Sequence, residues 1–445
     1  MTARERFRRL TNARFWLTPG MGVKRHVLLA SLGTLILIVG VIAGMLWLVQ
    51  ETRDVLSEPI EEVLVSPTWL RWGGWVSLFT AFLGLAVAVA AVGRLNRSLL
   101  SNWMNEPQEA AVVLHKRLEL GRGPRLVALG GGTGLANLLR GLREHSSNIT
   151  AVVTVSDDGG SSGRLRDAFG MPAPGDIVDC LAALSDYESE VSRLLEYRFE
   201  RGGELTGHTF GNLLITTLTE VEGDFPRAIR MLNSLLNICG AVYPSSMGPV
   251  TLEVAKSSGA RVSGESRVRE VPGPIDKVSI HPHEAQPVYE VLDAIAAADL
   301  IVLGPGSLYT STVPPLLVPA TRRAILASKA PVAYVCNIMT EAGETDGYDA
   351  WAHVAGLHRH LGRYPDFVVV NTAPIDAMRL ARYREEGADV VSFDPAPFAN
   401  TGIELIGLEL VGPGPHAQHD SARLAAHLVK TSREARLVRS RPVPQ

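Results

Sequence analysis

Two uncharged runs, residues 27–49 and 73–92, dominate the first quarter of the chain, and beyond residue 124 the apolar runs become short and alternate with helix-patterned stretches. As a helix the first run covers about 34 Å, against a hydrocarbon core of roughly 30 Å. The pattern predicts membrane-spanning helices over residues 27–49 and 73–93, joined by a loop at 50–72. A cleaved signal peptide fits less well: the apolar core is too long, no small-residue cleavage site follows, and a second span comes soon after. Further on, short buried-type runs at 125–129, 150–155, 300–303, 332–335 and 367–370 are separated by helical periodicity. That alternation predicts an α/β unit, a parallel sheet with helices on both faces. Residues 250–269, rich in Ser, Gly and alternating Val, read instead as a β-hairpin excursion.

Charge orients the hairpin. Arg4, Arg6, Arg8, Arg9, Arg14, Lys24 and Arg25 precede the first span, and Arg94, Arg97, Lys116 and Arg117 follow the second. The loop between them carries Glu51, Asp54, Glu58, Glu61 and Glu62 against only Arg53 and Arg71. The positive-inside rule then predicts a protein of the cytoplasmic (inner) membrane with a basic N-terminus (1–26), both chain ends and the large unit in the cytoplasm. Trp47, Trp69, Trp72 and Trp75 suit an interfacial belt, and Gly40 with Gly44 suits a helix contact. Residues 94–123 read as a partly helical linker and 124–445 as one large nucleotide-binding domain. A net charge of −3 without a basic, aromatic-interleaved stripe points away from nucleic acid. Cys180, Cys239 and Cys336 are isolated, which excludes a zinc knuckle or a disulfide framework. No residue pattern names a protein partner or an oligomeric state.

In parallel sheets ligands bind beyond the carboxyl ends of strands, so the residues after each run carry the chemistry. Gly130, Gly131, Gly132, Thr133 and Gly134 form a turn from a first strand into a helix, where the backbone can approach a ligand and the helix N-terminus favours an anion. Leu135 stands where a dinucleotide fingerprint needs its third glycine, so there is no NAD or flavin signature, and no P-loop is present. After the second run come Asp157 and Asp158, then Gly159, Gly160, Ser161, Ser162 and Gly163. Those carboxylates either hold Mg²⁺ against a diphosphate or accept ribose hydroxyls, while the Ser and Gly groups cradle anionic oxygens. Asp176 reads as the N-cap of the next helix. His208 reads equally as a ligand contact or a structural histidine, and Asn212 suits a nucleobase edge or a sugar hydroxyl. Gly304, Pro305, Gly306 and Ser307 make a second glycine turn, with Tyr309 available for stacking. The pairs His281/His283 and His358/His360 lack further ligands and read as surface or packing residues. No Ser–His or Cys–His nucleophile pair is assignable.

These motifs, in order from about residue 125 to 429, resemble those of the YvcK gluconeogenesis factors, which are related to CofD, the 2-phospho-L-lactate transferases. The resemblance implies a Rossmann-like fold. In the YvcK branch it implies binding of a UDP-sugar such as UDP-N-acetylglucosamine and a role in cell-wall and cell-shape control and carbon metabolism, with no established reaction. In the CofD branch it implies Mg²⁺-dependent phospholactyl transfer, with Asp157, Asp158 and Asp176 at the metal-binding acidic positions, whereas the Gly160, Ser161, Ser162, Gly163 run is the YvcK version. The membrane hairpin departs from the soluble family pattern. Two expectations follow: a membrane-anchored nucleotide-sugar sensor, or a glycosyl- or phospholactyl-type transferase on the same site.

Overall fold

A computed structural model describes residues 23–53, 67–101, 110–186, 188–271 and 273–440. Most of the basic N-terminus, the middle of the loop between the apolar helices (54–66) and part of the linker (102–109) lie outside the described residues. The chain divides into two compact units between Lys116 and Arg117.

Among the described residues the first unit holds the helices Val23–Arg53 and Pro67–Ser101 and the start of Ala110–Gly121; the first two are longer than the expected spans because their polar flanks continue the helix. Within them Arg25–Val49 and Trp72–Leu95, with hydropathy of 2.6 and 2.2, are long and apolar enough to cross a membrane. Large side chains such as Leu35, Phe79 and Phe82 point outward, and the helices meet through small residues. A Cβ on Gly33 would come 2.5 Å from the Ala88 nitrogen, and one on Gly40 or Gly84 would overlap the backbone of Ala81 or Leu37. Backbones this close are the device of helix pairs packed in lipid.

In the second unit β1 (Leu126–Gly130), β2 (Ile149–Val153) and β3 (Ala241–Pro244) are followed by β4 (Thr251–Lys256), β5 (Arg261–Ser263) and β6 (Ile275–His281). Then come β7 (Leu300–Leu303), β8 (Val332–Val335), β9 (Phe367–Asn371) and β10 (Glu404–Leu408). Seven of them form one parallel sheet in the order β10-β9-β8-β7-β1-β2-β3. The central strands β1, β7 and β8 are buried along their whole length, so both faces of the sheet are covered, as the continuous apolar runs predict. The edge strands β3 and β10 fall outside the expected runs. Being only partly buried, they carry mixed sequences that show no unbroken apolar signal.

The expected excursion is larger than a hairpin. β4 pairs antiparallel with both β5 and β6, making a second, three-stranded sheet with its alternate residues buried. From β1 the main sheet grows one way through β2 and β3, and from β7 it grows the other way through β8, β9 and β10. The neighbours β1 and β7 therefore flank the topological switch point, where a crevice opens beyond the strand ends.

Candidate functional site

Both glycine turns leave the sheet at that switch point, one after β1 and one after β7. Gly132, at φ +61°, takes a left-handed conformation that favours glycine, and it opens the helix Gly132–Leu142. Gly131 is extended, so its requirement is space: a Cβ there would overlap the Asp176 carboxyl and the Thr154 methyl. Gly134 lies against the second turn, where a Cβ would come 2.6 Å from the Pro305 carbonyl oxygen. With the turns in backbone contact, the start of the helix lines the crevice beside Gly306 and Ser307, where its first N–H groups have no intrahelical partner and that of Gly132 is taken by Asp176.

On one side of Thr133 lies a cavity of 700 Å³ lined by Asp157, Ser161, Ser162, Asp176, Arg198 and Asn212, among others. Asp176 is not the expected N-cap. It is the second residue of the helix Gly175–Leu184, and its carboxylate accepts the Gly132 N–H, tying that helix to the first glycine turn. Burial pushes its pKa up to about 7, with the charges of Asp157 and Asp179 adding to the effect. Asp179, on the same wall, is raised to about 6 by burial and by Glu196. Asp157 accepts the Gly159 N–H at 2.9 Å and the Ser162 hydroxyl, yet burial still raises its pKa.

Asp158 separates from its neighbour. Its Oδ1 accepts the Ser266 N–H at 2.8 Å, and Gly264, at φ +98°, packs against its Oδ2. Asp158 thus pins the β5–β6 turn and does not line the cavity.

The three later motifs converge. Gly160, at φ +50°, opens the helix Gly160–Phe169, and Gly163 packs tightly under the Asp158 carbonyl. Ser161 Oγ lies 2.9 Å from His208 Nδ1, and the Asn212 amide donates to Ser161 at 3.0 Å and to Ser162 at 3.4 Å. His208 is buried behind Ser161, its pKa lowered by burial and by Arg164 and Arg198. The structure therefore supplies a Ser–His pair that sequence reading did not assign, since the partners lie 47 positions apart.

On the other side of Thr133 a cavity of 640 Å³ is lined by the first turn together with Gly306, Ser307, Arg269, Asn337 and Glu341. Gly304, at φ +76°, shapes the turn without lining the cavity itself. Tyr309 corrects an expectation. It is fully buried, its hydroxyl 3.0 Å from that of Tyr348, and so is closed to ligand stacking. The turn Leu308–Thr312, buried at every residue, folds it into the core. His360 is buried and accepts the Val278 N–H at 3.2 Å, and His358 stacks on Tyr364, so that pair packs as expected.

Sequence reading missed Glu265, Arg269 and Glu341. Glu265, on the turn that Asp158 pins, accepts the Ser156 hydroxyl at 3.0 Å. Burial, then Asp176 and Asp157, raise its pKa well above the usual carboxylate range. The only signal for it was the excursion that carries it. Among the described residues no group of three or more His, Cys, Asp or Glu converges as metal ligands. Asp157 and Asp176 line the same cavity, and two carboxylates are the oxygen donors that Mg²⁺ would take alongside water and phosphate.

Residues 126–411 match the family described as 2-phospho-L-lactate transferase CofD. The chain belongs to the CofD family. Within it, the chain is 42% identical over 317 residues to the gluconeogenesis factor of Bacillus subtilis, covering 71% of this chain and all of that protein. A Deinococcus radiodurans relative is 43% identical over 439 residues, covering 95% of this chain and 90% of that protein, so the likeness extends into the apolar N-terminal part. A crystal structure of a Bacillus halodurans protein superposes with a TM-score of 0.68 at 40% identity, covering 69% of this chain and 100% of that one. In this CofD-family chain both glycine turns and the carboxylate cavity fall inside the matched region.

Proposed function

We propose that the protein is a membrane-anchored regulator of the gluconeogenesis-factor type that binds a UDP-sugar, with UDP-N-acetylglucosamine as the leading candidate. The observation that carries this reading is the pair of touching glycine turns between two cavities. Backbone N–H groups there suit a diphosphate, and the carboxylates and Ser/Asn groups on one side suit sugar hydroxyls. Asp157 and Asp176 would hold a Mg²⁺ ion, which would supply charge neutralisation at the diphosphate. The two membrane-length helices and the basic flanks support anchoring with the large unit in the cytoplasm.

Calorimetry on the full chain in detergent, with UDP-N-acetylglucosamine, UDP-glucose and NAD, tests the ligand. The expected result is saturable binding of a UDP-sugar and none of NAD; the reverse would overturn the reading. Topology is tested with a cysteine placed at Glu61. The expected result is labelling by an impermeant thiol reagent only from outside the cell, and labelling only from the cytoplasmic side would refute the orientation.

The CofD match and the buried Asp157/Asp176 pair support a second reading, a Mg²⁺-dependent transferase. In that case the chain's own groups act by positioning and charge placement, with Ser161 held by His208 and Asn212. Transfer of a group from a UDP-sugar or a phospholactyl donor, lost on chelation, would favour it over pure sensing.

A further inference from the structure

Three hydrogen-bond donors from separate segments converge on one carboxylate at the edge of the 640 Å³ cavity. Glu341 Oε2 accepts the Ser307 hydroxyl at 2.6 Å and Arg269 Nη2 at 2.8 Å, while Oε1 accepts the Asn337 amide at 3.2 Å. Ser307 belongs to the turn after β7, Arg269 to the excursion, and Asn337 to the segment after β8. A guanidinium, a hydroxyl and an amide arranged around two anionic oxygens are the donor set that binds a phosphate group.

Glu341 is not a core charge held in place by necessity. Its side chain is 22% exposed and faces the cavity, whereas the Glu344 side chain behind it is only 1% exposed. The Glu341 backbone is anchored separately, its N–H donating to Thr345 Oγ1 at 2.9 Å, so the side chain can swing without moving the chain. If it leaves, Arg269 still has Glu344 3.6 Å from its Nε, a carboxyl whose pKa burial and the charge of Glu341 raise to about 7.

We propose that Arg269, Ser307 and Asn337 form an anion subsite for a phosphate group of the ligand, and that Glu341 is the protein's own occupant of that subsite, displaced when the phosphate binds. The inference deepens the diphosphate reading of the crevice. It also makes a prediction of unusual sign, because removing a charged residue that lines a binding cavity then strengthens binding. A Glu341 that instead touched ligand hydroxyls or a cation would give the opposite result.

The test titrates inorganic pyrophosphate, and separately UDP-N-acetylglucosamine, into the full chain and into Glu341→Gln, Glu341→Asp and Arg269→Gln, each checked by thermal melt. Glu341→Gln should bind pyrophosphate about tenfold more tightly than the unaltered chain, the order expected when a charged competitor for the donors is removed. Glu341→Asp, which withdraws the same charge by one methylene, should fall between, and Arg269→Gln should bind at least about tenfold more weakly. Equal or weaker pyrophosphate binding by both Glu341 variants would overturn the proposal, as would its absence in every protein. Tighter pyrophosphate binding with no UDP-sugar binding would sustain the subsite and refute the UDP-sugar reading. UDP-sugar binding together with unchanged pyrophosphate affinity would do the reverse.

Discussion

Asp176→Asn is expected to stabilise the ligand-free protein while weakening its ligand binding. Folding raises the pKa of this carboxyl from 3.8 to about 7 because it is buried and lies beside Asp157 and Asp179. Between those values the folded chain holds a proton that the unfolded chain has lost, so its contribution to stability falls as pH rises and the full cost is present above about pH 7. A shift of this size would amount to roughly 4 kcal/mol at 1.36 kcal/mol per unit, and the solvent in the open cavity reduces that to on the order of 2 kcal/mol. The amide keeps the shape, cannot ionise and should recover most of that cost at pH 8. It also removes an anionic acceptor, which should lower nucleotide affinity by about 10- to 100-fold. Denaturant melts from pH 5 to 8 and ligand titrations on the same samples check both halves. An apo protein no more stable than the parent at pH 8 would show that the carboxyl is better compensated than its burial suggests.

Gly134→Ala should damage both the fold and ligand binding, because its methyl would strike the backbone of the second glycine turn. The added carbon would lie 2.6 Å from the Pro305 carbonyl oxygen and 3.1 Å from the Gly306 Cα, and neither is the movable end of a side chain. Relief requires the two turns to part, which opens the switch point itself. A loss of about 2 to 3 kcal/mol in denaturant melts is expected, together with loss of ligand binding. A control at Gly132 separates mechanisms: no atom lies within 4 Å of a Cβ there, but the backbone is left-handed at φ +61°. Gly132→Ala should therefore cost only about 1 kcal/mol of backbone strain. Equal losses at the two positions would refute the close-contact account of Gly134.

Much of this site was legible because it sits where strands end. The glycine turns and Asp157 follow short apolar runs, and a parallel sheet sends the residues after such runs to one edge. The partnerships were not legible. Neighbouring aspartates look alike in sequence, yet Asp157 faces the cavity and Asp158 holds Ser266. Tyr309 follows a glycine turn and reads as a ligand aromatic, but the local π-type turn buries it against Tyr348. Asp176 reads as a cap because the preceding Pro174 and Gly175 mark a helix start; the helix begins at Gly175, two residues earlier than a cap at Asp176 requires, with Pro174 at the cap position, and the Asp176 carboxylate goes to Gly132. Glu265 and Arg269 lie in the stretch read as a β-hairpin excursion and Glu341 in a loop, and only the three-stranded sheet and the loop after β8 bring them to the crevice.

That three-stranded sheet is stitched to both walls of the crevice. Glu265 and Ser266 fasten it to Ser156 and Asp158 on the side of the carboxylate cavity. On the other side Lys256 reaches the Gly343 carbonyl at 2.6 Å, and Arg269 reaches Glu341. A strap anchored at both ends cannot relax at one end without changing the tension at the other. If occupancy of one cavity shifts this shared sheet and so changes affinity in the other, thermodynamic reciprocity requires that the second occupant affect the first in equal measure.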